Sequence, residues 1–185
     1  TLLAGQSLSY ACSNLLTEPL DSPQTWIPYS GNMTIPMSYL LPVSSINKDT
    51  QIGTSSSLLE LKRAVAKIII KNNDANFTFD AITAIVNVPK QGRLHQLGTT
   101  LMNNTGNLVE YNAGDLYATD MIYPNSGGTT ENDPAYLYES GTANQTYIII
   151  KGQYNGKTYY YKVSIVDANK NPVDILRNYK YTITI

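Results

Sequence analysis

Cysteine and histidine, two residue types that often bind metals or take part in nucleophilic catalysis, are scarce in this sequence. The 185 residues include one Cys and one His, which together are too few for a structural zinc site. His95 lies in the polar stretch GRLHQLG, where a lone histidine is more often a solvated or turn residue than a catalytic base. We therefore predict no catalytic, cofactor-binding or metal-binding residues, and no cofactor.

The acidic side chains that could serve a hydrolase are scattered through the second half of the chain. They are Glu110, Asp115, Asp120, Glu131, Asp133 and Glu139. A glycosidase needs two carboxylates that converge in a cleft, and nothing in the spacing favours convergence. No nucleophile elbow, HExxH motif or phosphate loop is present, and ENDP is simpler as a polar turn than as a calcium loop. The sequence predicts that the protein is not an enzyme.

Cys12 lies in LSYACSNL, which admits two interpretations. A lipid-modified cysteine would follow a signal peptide, but the preceding residues have no positive region and no long apolar region. A small buried thiol is therefore predicted. No run in this chain approaches the ~20 apolar residues of a membrane helix. The net charge of −1 and the pI near 5.7 exclude a basic field, which argues against nucleic acid as a partner.

The elements that would position these side chains are mostly predicted strands. The stretch LLELKRAVAKIIIKN at 58–72 fits both a helical and an alternating pattern, but its β-branched residues favour a strand, with a bulge at Lys62–Arg63. FTFDAITAIVNVP at 77–89 is a second strand that stops at proline. Four prolines between residues 17 and 38 predict a long surface excursion, with a short strand near 33–38.

The clearest local signal is a β-hairpin. TYIIIKGQY and KTYYYKVSIV flank Asn155 and Gly156, the dipeptide that fits a type I′ turn. The final stretch RNYKYTITI alternates apolar and polar residues, as a half-buried strand does. We predict that this strand lies in its own sheet, in an antiparallel pair beside residues 159–166. The alternative is that it is donated to a neighbouring subunit.

The predicted domain boundary is the polar stretch NNTGN at 103–107. It divides the chain into an N-terminal β-sandwich domain at 1–107 and a C-terminal one at 108–185. A flexible loop is predicted at 124–134. The chain lacks a βαβ rhythm, and its short strands separated by turn residues predict an all-β fold of two sandwich-like domains.

Several stretches together resemble the fimbrillins, the subunits of surface pili in Bacteroidetes bacteria. They are MTIPMSY, LLELKRAVAKIII, AYLYES, TYIIIKGQYNGKTYYYKVSI and ILRNYKYTITI, in this order. The resemblance runs from about residue 32 onward. It implies two transthyretin-like β-sandwich domains, the first incomplete in this chain. It also implies a precursor exported as a lipoprotein, and display in a fimbrium attached to the outer membrane.

The function that the resemblance implies is that of a structural pilus subunit. Such subunits polymerise by β-strand exchange with other pilus subunits and support cell adhesion. The alternative is a non-polymerising cell-surface adhesin or glycan-binding lipoprotein of the same fold, as a tip or anchor component. Loops at 111–123 and 125–133 would then contact a host or bacterial receptor or glycan. A surface glycosidase is the third and least favoured hypothesis.

Overall fold

The computed structural model describes residues 5–17, 35–40, 47–51, 53, 58–95, 108–112, 123–124 and 135–185. These residues form one short helix, one 3₁₀ turn and ten strands. In chain order they are α1 (Leu8–Asn14), β1 (Met37–Ser38), β2 (Lys62–Arg63), β3 (Val65–Lys71), β4 (Phe77–Pro89), β5 (Leu108–Asn112), β6 (Tyr123–Pro124), β7 (Ala135–Tyr138), the 3₁₀ turn (Thr142–Asn144), β8 (Tyr147–Tyr154), β9 (Lys157–Ser164) and β10 (Lys180–Thr184). The predicted all-β fold class is confirmed.

Two sheets share the main hydrophobic core. One has the strand order β10-β3-β7, and the other has the order β5-β4-β8-β9, with β6 also paired to β4. Apolar side chains from both sheets meet between them, which is the layered arrangement of a sandwich. The largest of these core side chains are Ile68, Ile70, Phe77, Phe79, Ile82, Ile85, Leu137, Ile148 and Ile150.

The ambiguous stretch at 58–72 is a strand and not a helix. Its β-branched residues are buried in β3, as the sequence predicts. The predicted bulge at Lys62–Arg63 is wrong: these residues form β2, and the chain changes sheets at Ala64. β2 pairs with β1, whereas β3 pairs with β7 and β10. Ala64 is fully buried, and its N–H donates to Pro36 O at 2.8 Å, so this short residue suits the crossing point.

The predicted hairpin is confirmed. β8 and β9 pair in continuous antiparallel register from Tyr147 opposite Ser164 to Tyr154 opposite Lys157. The two turn residues, Asn155 and Gly156, have φ angles of 50° and 75°. A type I′ turn requires positive φ at both positions, and asparagine and glycine tolerate it best.

The C-terminal strand β10 lies in its own sheet, but its predicted neighbour is wrong. It pairs in parallel with β3, from Lys180 opposite Lys67 to Thr184 opposite Lys71, and not in antiparallel with β9. After β9 the chain turns, and Ile175 exchanges backbone hydrogen bonds with Ser140 beyond β7. This contact directs the chain away from β9, so that β10 lies beside β3 on the side opposite β7.

The alternation predicted for the terminal strand is confirmed. Tyr181, Ile183 and Ile185 are half-buried and pack on the main core, while the intervening residues are exposed. The Tyr181 hydroxyl donates to Asp174 O and accepts from the Leu176 N–H, each at 2.8 Å. Burial raises the pKa of Tyr181 above its ordinary value.

The division of the chain into two domains at residue 107 is unconfirmed. β3 and β4 lie before residue 107, and each pairs with strands that lie after it. The main core also draws on both parts of the sequence. The predicted boundary at 103–107 lies outside the described residues. So does the predicted loop at 124–134, except Pro124, which ends β6.

The N-terminal segment contains an element that was not predicted. Residues Leu8–Asn14 form α1, and the Ser7 side chain caps it by accepting a hydrogen bond from the Tyr10 N–H at 3.1 Å. Cys12 lies on the buried side of α1, which confirms the prediction of a buried thiol. In the described part of the chain, no helix combines the length and apolar character needed to cross a membrane.

Candidate functional site

The main candidate site is a cleft where the core reaches the surface between the two sheets. We call it the edge cleft; it has a volume of about 390 Å³. β9 contributes one wall and the end of β10 contributes the other. Most of its lining is apolar or aromatic, but two charged side chains and one threonine also line it. The lining residues are Asp74, Phe77, Ile150, Tyr154, Tyr161, Lys162, Val163, Ile183, Thr184 and Ile185.

The alternation of β9 and β10 places these side chains in the edge cleft. Tyr161 on β9 packs its ring edge-to-face on Phe77, with centroids 5.5 Å apart and an interplanar angle of 79°. Tyr161 is still 36% exposed, and Val163, Ile183 and Ile185 are only partly buried. Apolar side chains that belong to the core therefore remain in contact with solvent here.

The edge cleft is bounded by the outermost strands of both sheets. In the strand orders formed by the described residues, β9 and β10 each have a paired neighbour on one side only. An outer strand presents backbone N–H and C=O groups that a further strand can pair with. Backbone groups beside apolar pockets at alternate positions are what binding by strand addition needs. The edge cleft is therefore chemically suited to receive an extended segment.

A second feature is a buried ion pair that ties three parts of the chain together. Arg177, just before β10, binds both carboxylate oxygens of Glu139 through Nε at 2.8 Å and Nη2 at 2.7 Å. The two side chains are only 10% and 1% exposed. The guanidinium also donates to Arg93 O at 2.8 Å and to Leu94 O at 3.2 Å. The geometry satisfies the buried carboxylate and positions the link after β4.

His95 belongs to the same region and contacts Ser38. The Ser38 hydroxyl donates to Leu94 O at 2.8 Å and lies 3.0 Å from His95 Nδ1. A Ser–His pair can do nucleophilic chemistry when a carboxylate orients the imidazole. Here the Glu139 carboxylate is bound by Arg177 instead. The contact is best interpreted as structural, since it joins β1 to the link that follows β4.

We expect the protein to lose stability on acidification, in part through His95. Burial lowers the pKa of His95 below 6.5, and the charges of Arg177 and Lys62 lower it further. The unfolded chain then binds a proton at a higher pH than the folded chain. The stability that neutral His95 contributes is fully present above its unfolded-state pKa. This contribution is lost as the pH falls toward the folded-state pKa.

The measurement is urea unfolding at a series of pH values from about 7 to about 5. The free energy of unfolding of the His95→Gln variant should fall less steeply over this range than that of the unaltered chain. The control variant Lys62→Gln keeps the imidazole and should retain most of the slope. Parallel pH profiles for the His95→Gln variant and the unaltered chain would contradict the assignment.

The structure describes only part of the set of predicted carboxylates. Asp115, Asp120, Glu131 and Asp133 lie outside the described residues, and so do most of the loops at 111–123 and 125–133. Glu110 lies on β5. Among the described residues, no three His, Cys, Asp or Glu side chains lie close enough together to hold a metal ion. The prediction that the protein is not an enzyme stays a prediction.

Sequence reasoning identified Glu139 but missed its role, and it did not foresee the part-burial of His95. Glu139 follows the buried strand β7 directly, and Arg177 precedes β10. A charged residue adjoining an apolar strand is a weak sign of a buried ion pair. No pattern in the sequence indicates which acidic and which basic side chain would form an ion pair when they lie 38 residues apart in the chain.

Comparison with known proteins gives little further guidance. No family model matches the chain, and no curated protein matches it. Among solved structures, it is similar to a putative cell adhesion protein from Bacteroides fragilis, with 8% sequence identity and a TM-score of 0.34. The match covers 69% of this chain and 42% of that one, so this chain spans less than half of that protein's length. A likeness this distant carries no conclusion here, and membership of the fimbrillin family stays a prediction.

Proposed function

We propose that this protein is a structural subunit of a bacterial surface pilus that polymerises by β-strand exchange and supports cell adhesion. The observation that carries the proposal is the edge cleft, where exposed core side chains lie between two outermost strands. The partners are other subunits of the same fibre. The place of action is the cell surface, in a fimbrium attached to the outer membrane through a lipid-anchored precursor.

The energetics favour an extended strand as the occupant of the edge cleft. Fully burying one apolar side chain contributes roughly 1.5–3 kcal/mol, and an inserted strand would present one such side chain at every second residue. Its backbone would pair with a sheet edge at the same time. Head-to-tail exchange of this kind has no closed symmetry, so it produces filaments.

A single substitution on β9 tests the proposal. Replacing Tyr161 by lysine places a charge in the edge cleft and removes the ring that contacts Phe77. After proteolytic trimming of its precursor, the Tyr161→Lys variant should form at least ~10-fold fewer SDS-resistant oligomers than the unaltered chain. A free-energy loss of ~1.4 kcal/mol lowers an association constant tenfold, and the lost burial of the Tyr161 ring exceeds that. Denaturing gels run without boiling measure the ladder.

Tyr159→Lys is the matched control. Tyr159 lies on the same face of β9 and is 43% exposed, but it does not line the edge cleft. Its variant should assemble normally, and the monomers of both variants should melt within a few degrees of each other. Equal assembly of the two variants would overturn the proposed role of the cleft. A trimmed unaltered chain that stays monomeric would overturn polymerisation itself.

A second candidate function is a non-polymerising surface adhesin or glycan-binding lipoprotein. It is favoured by a different surface, a basic pocket on the outer face of the three-stranded sheet. The two functions make opposite predictions for the ladder experiment, since an adhesin of this kind stays monomeric after trimming.

A further inference from the structure

The outer face of the three-stranded sheet, meaning the face turned away from the main core, carries a small pocket with an unusual collection of charge. We call it the basic pocket; its volume is about 260 Å³. The pocket adjoins a second buried apolar cluster of Ala64, Val65 and Tyr138. It lies on the opposite face of β3 from the core, since Lys67 and Lys180 alternate with core-facing Ile68 and Tyr181. Its polar lining consists of Arg63, Lys67, Tyr136, Asn178, Tyr179 and Lys180.

The lysines of the basic pocket face each other across neighbouring strands. Lys67 and Lys180 are register partners in the parallel pair of β3 and β10. Like charges directly opposite each other destabilise a sheet, and a carboxylate would normally lie between them. None of the described residues that line the pocket is acidic. Neither lysine takes part in an ion pair within the described part of the chain.

The third cation is held in place by a neutral partner. The Arg63 guanidinium donates to Asn178 Oδ1 at 3.2 Å, and this neutral acceptor brings no charge to compensate its own. Asn178 is itself fixed, because it has a φ of 62° and its N–H donates to Val65 O at 2.8 Å. The sheet thus places three cations around one cavity, which makes the pocket a candidate site for an anionic group.

Two tyrosines define the shape of the remaining surface. Tyr136 is the register partner of Lys67 on β7 and is half-buried, whereas Tyr179 is 59% exposed. Tyrosine rings offer an apolar face for the C–H groups of a sugar ring, and their hydroxyls hydrogen-bond with its polar groups. The cations would bind a carboxylate or sulfate carried by the same ring. The volume lies just below the ~300–1,000 Å³ of typical ligand pockets, which suits one ring better than an extended chain.

We propose that the basic pocket binds an acidic saccharide, a sugar residue that carries a carboxylate or sulfate group. The proposal does not depend on strand exchange, because the pocket lies on the outer face and the edge cleft shares none of its lining residues. An acidic peptide would satisfy the cations but would make less use of the two tyrosines. A nucleic acid would need a wider basic field than a chain of net charge −1 presents.

The test is calorimetric titration with defined probes at low ionic strength. The acidic probes are sialyllactose, a galacturonic acid trimer and a chondroitin sulfate disaccharide. Lactose is the neutral probe, and a short Asp/Glu-rich peptide represents the other acidic ligand class. We expect at least one acidic saccharide to bind at least ~10-fold more tightly than lactose and than the peptide. Binding should weaken as salt is raised, since the site is open to solvent.

Paired substitutions separate the basic pocket from general charge. Lys67→Gln with Lys180→Gln should lower the affinity at least ~10-fold, because two charged donors are lost. Lys90→Gln with Lys157→Gln makes the same change in net charge on exposed residues outside the pocket and should leave the affinity unchanged. The pocket variant should melt at the same or a higher temperature than the unaltered chain, since the cross-strand repulsion is gone.

The possible results separate cleanly. Absence of binding by every acidic saccharide, equal binding of lactose, or equal losses in the two double variants would each overturn the proposal. Tighter binding of the peptide would overturn the saccharide class. The pocket variant should still form SDS-resistant ladders, so failure of this proposal is distinguishable from failure of the proposed polymerisation.

Discussion

Replacing Arg177 by methionine is expected to lower the free energy of unfolding by about 3–5 kcal/mol. The substitution leaves the Glu139 carboxylate, whose side chain is 1% exposed, without its bidentate partner. The carbonyl oxygens of Arg93 and Leu94 each lose the Arg177 donor as well, although Leu94 O keeps the Ser38 hydroxyl. Breaking a buried pair is costly because the remaining charge has neither water nor a counter-ion. Urea unfolding monitored by circular dichroism measures the change.

Two further variants show whether the charge itself is responsible. Lys157→Met removes an exposed cation and should change the stability by less than about 0.5 kcal/mol. The double variant Glu139→Leu with Arg177→Met should be more stable than Arg177→Met alone, because no uncompensated charge remains. An Arg177→Met variant as stable as the Lys157→Met variant would show that the pair contributes little.

The local elements of this fold could be predicted because their signals are local. Asn155-Gly156 between two β-rich runs is sufficient to specify a hairpin, and thirteen residues from Phe77 to Pro89 are apolar enough to be a central strand. The alternation of β10 likewise identified which of its side chains face a core. Each of these inferences uses residues only a few positions apart.

What could not be predicted depends on which distant segments meet. The sequence of β10 is compatible with β3 or β9 as a neighbour, and only the path through Ile175 and Ser140 selects β3. The juxtaposition of Lys67 and Lys180 follows from that choice of neighbour. Alternation gives the face of a strand and not its partner. Both binding surfaces proposed above are therefore products of the strand order.

Removing residues 179–185 is expected to leave the sandwich unfolded or without fixed packing. β10 covers one edge of β3, and its three apolar side chains, Tyr181, Ile183 and Ile185, pack on the main core. Half-burial of three such side chains contributes about 2–4.5 kcal/mol, on a scale of roughly 1.5–3 kcal/mol for each full burial. A domain of this size is typically stable by only about 5–15 kcal/mol. Near-ultraviolet circular dichroism and urea unfolding measure the loss.

The same shortened chain tests whether this sheet can be completed by a strand from another molecule. We expect a synthetic peptide RNYKYTITI, added in excess, to restore the near-ultraviolet signal in a saturable way. The missing bonds are defined: Tyr179 O accepts from Lys67 N–H at 2.9 Å, and Ile185 bonds with Lys71 and Asn73, each at 2.8 Å. These bonds are between backbone groups, so they do not require the strand to be covalently attached.

The peptide RNYKYITIT is the matched control, with the same composition and the last four residues permuted. It offers the same backbone, but it turns isoleucines outward and threonines toward the core, since a shift of one position reverses the faces of a strand. We expect it to restore nothing. Equal rescue by both peptides would mean that backbone pairing alone suffices and that the side-chain positions give no specificity. Rescue by neither would mean that β10 folds only as part of its own chain. Strand exchange depends on two properties together: a strand edge whose backbone can pair, and a core that accepts only a strand with the right alternation of side chains. Rescue by RNYKYTITI and not by RNYKYITIT would show both.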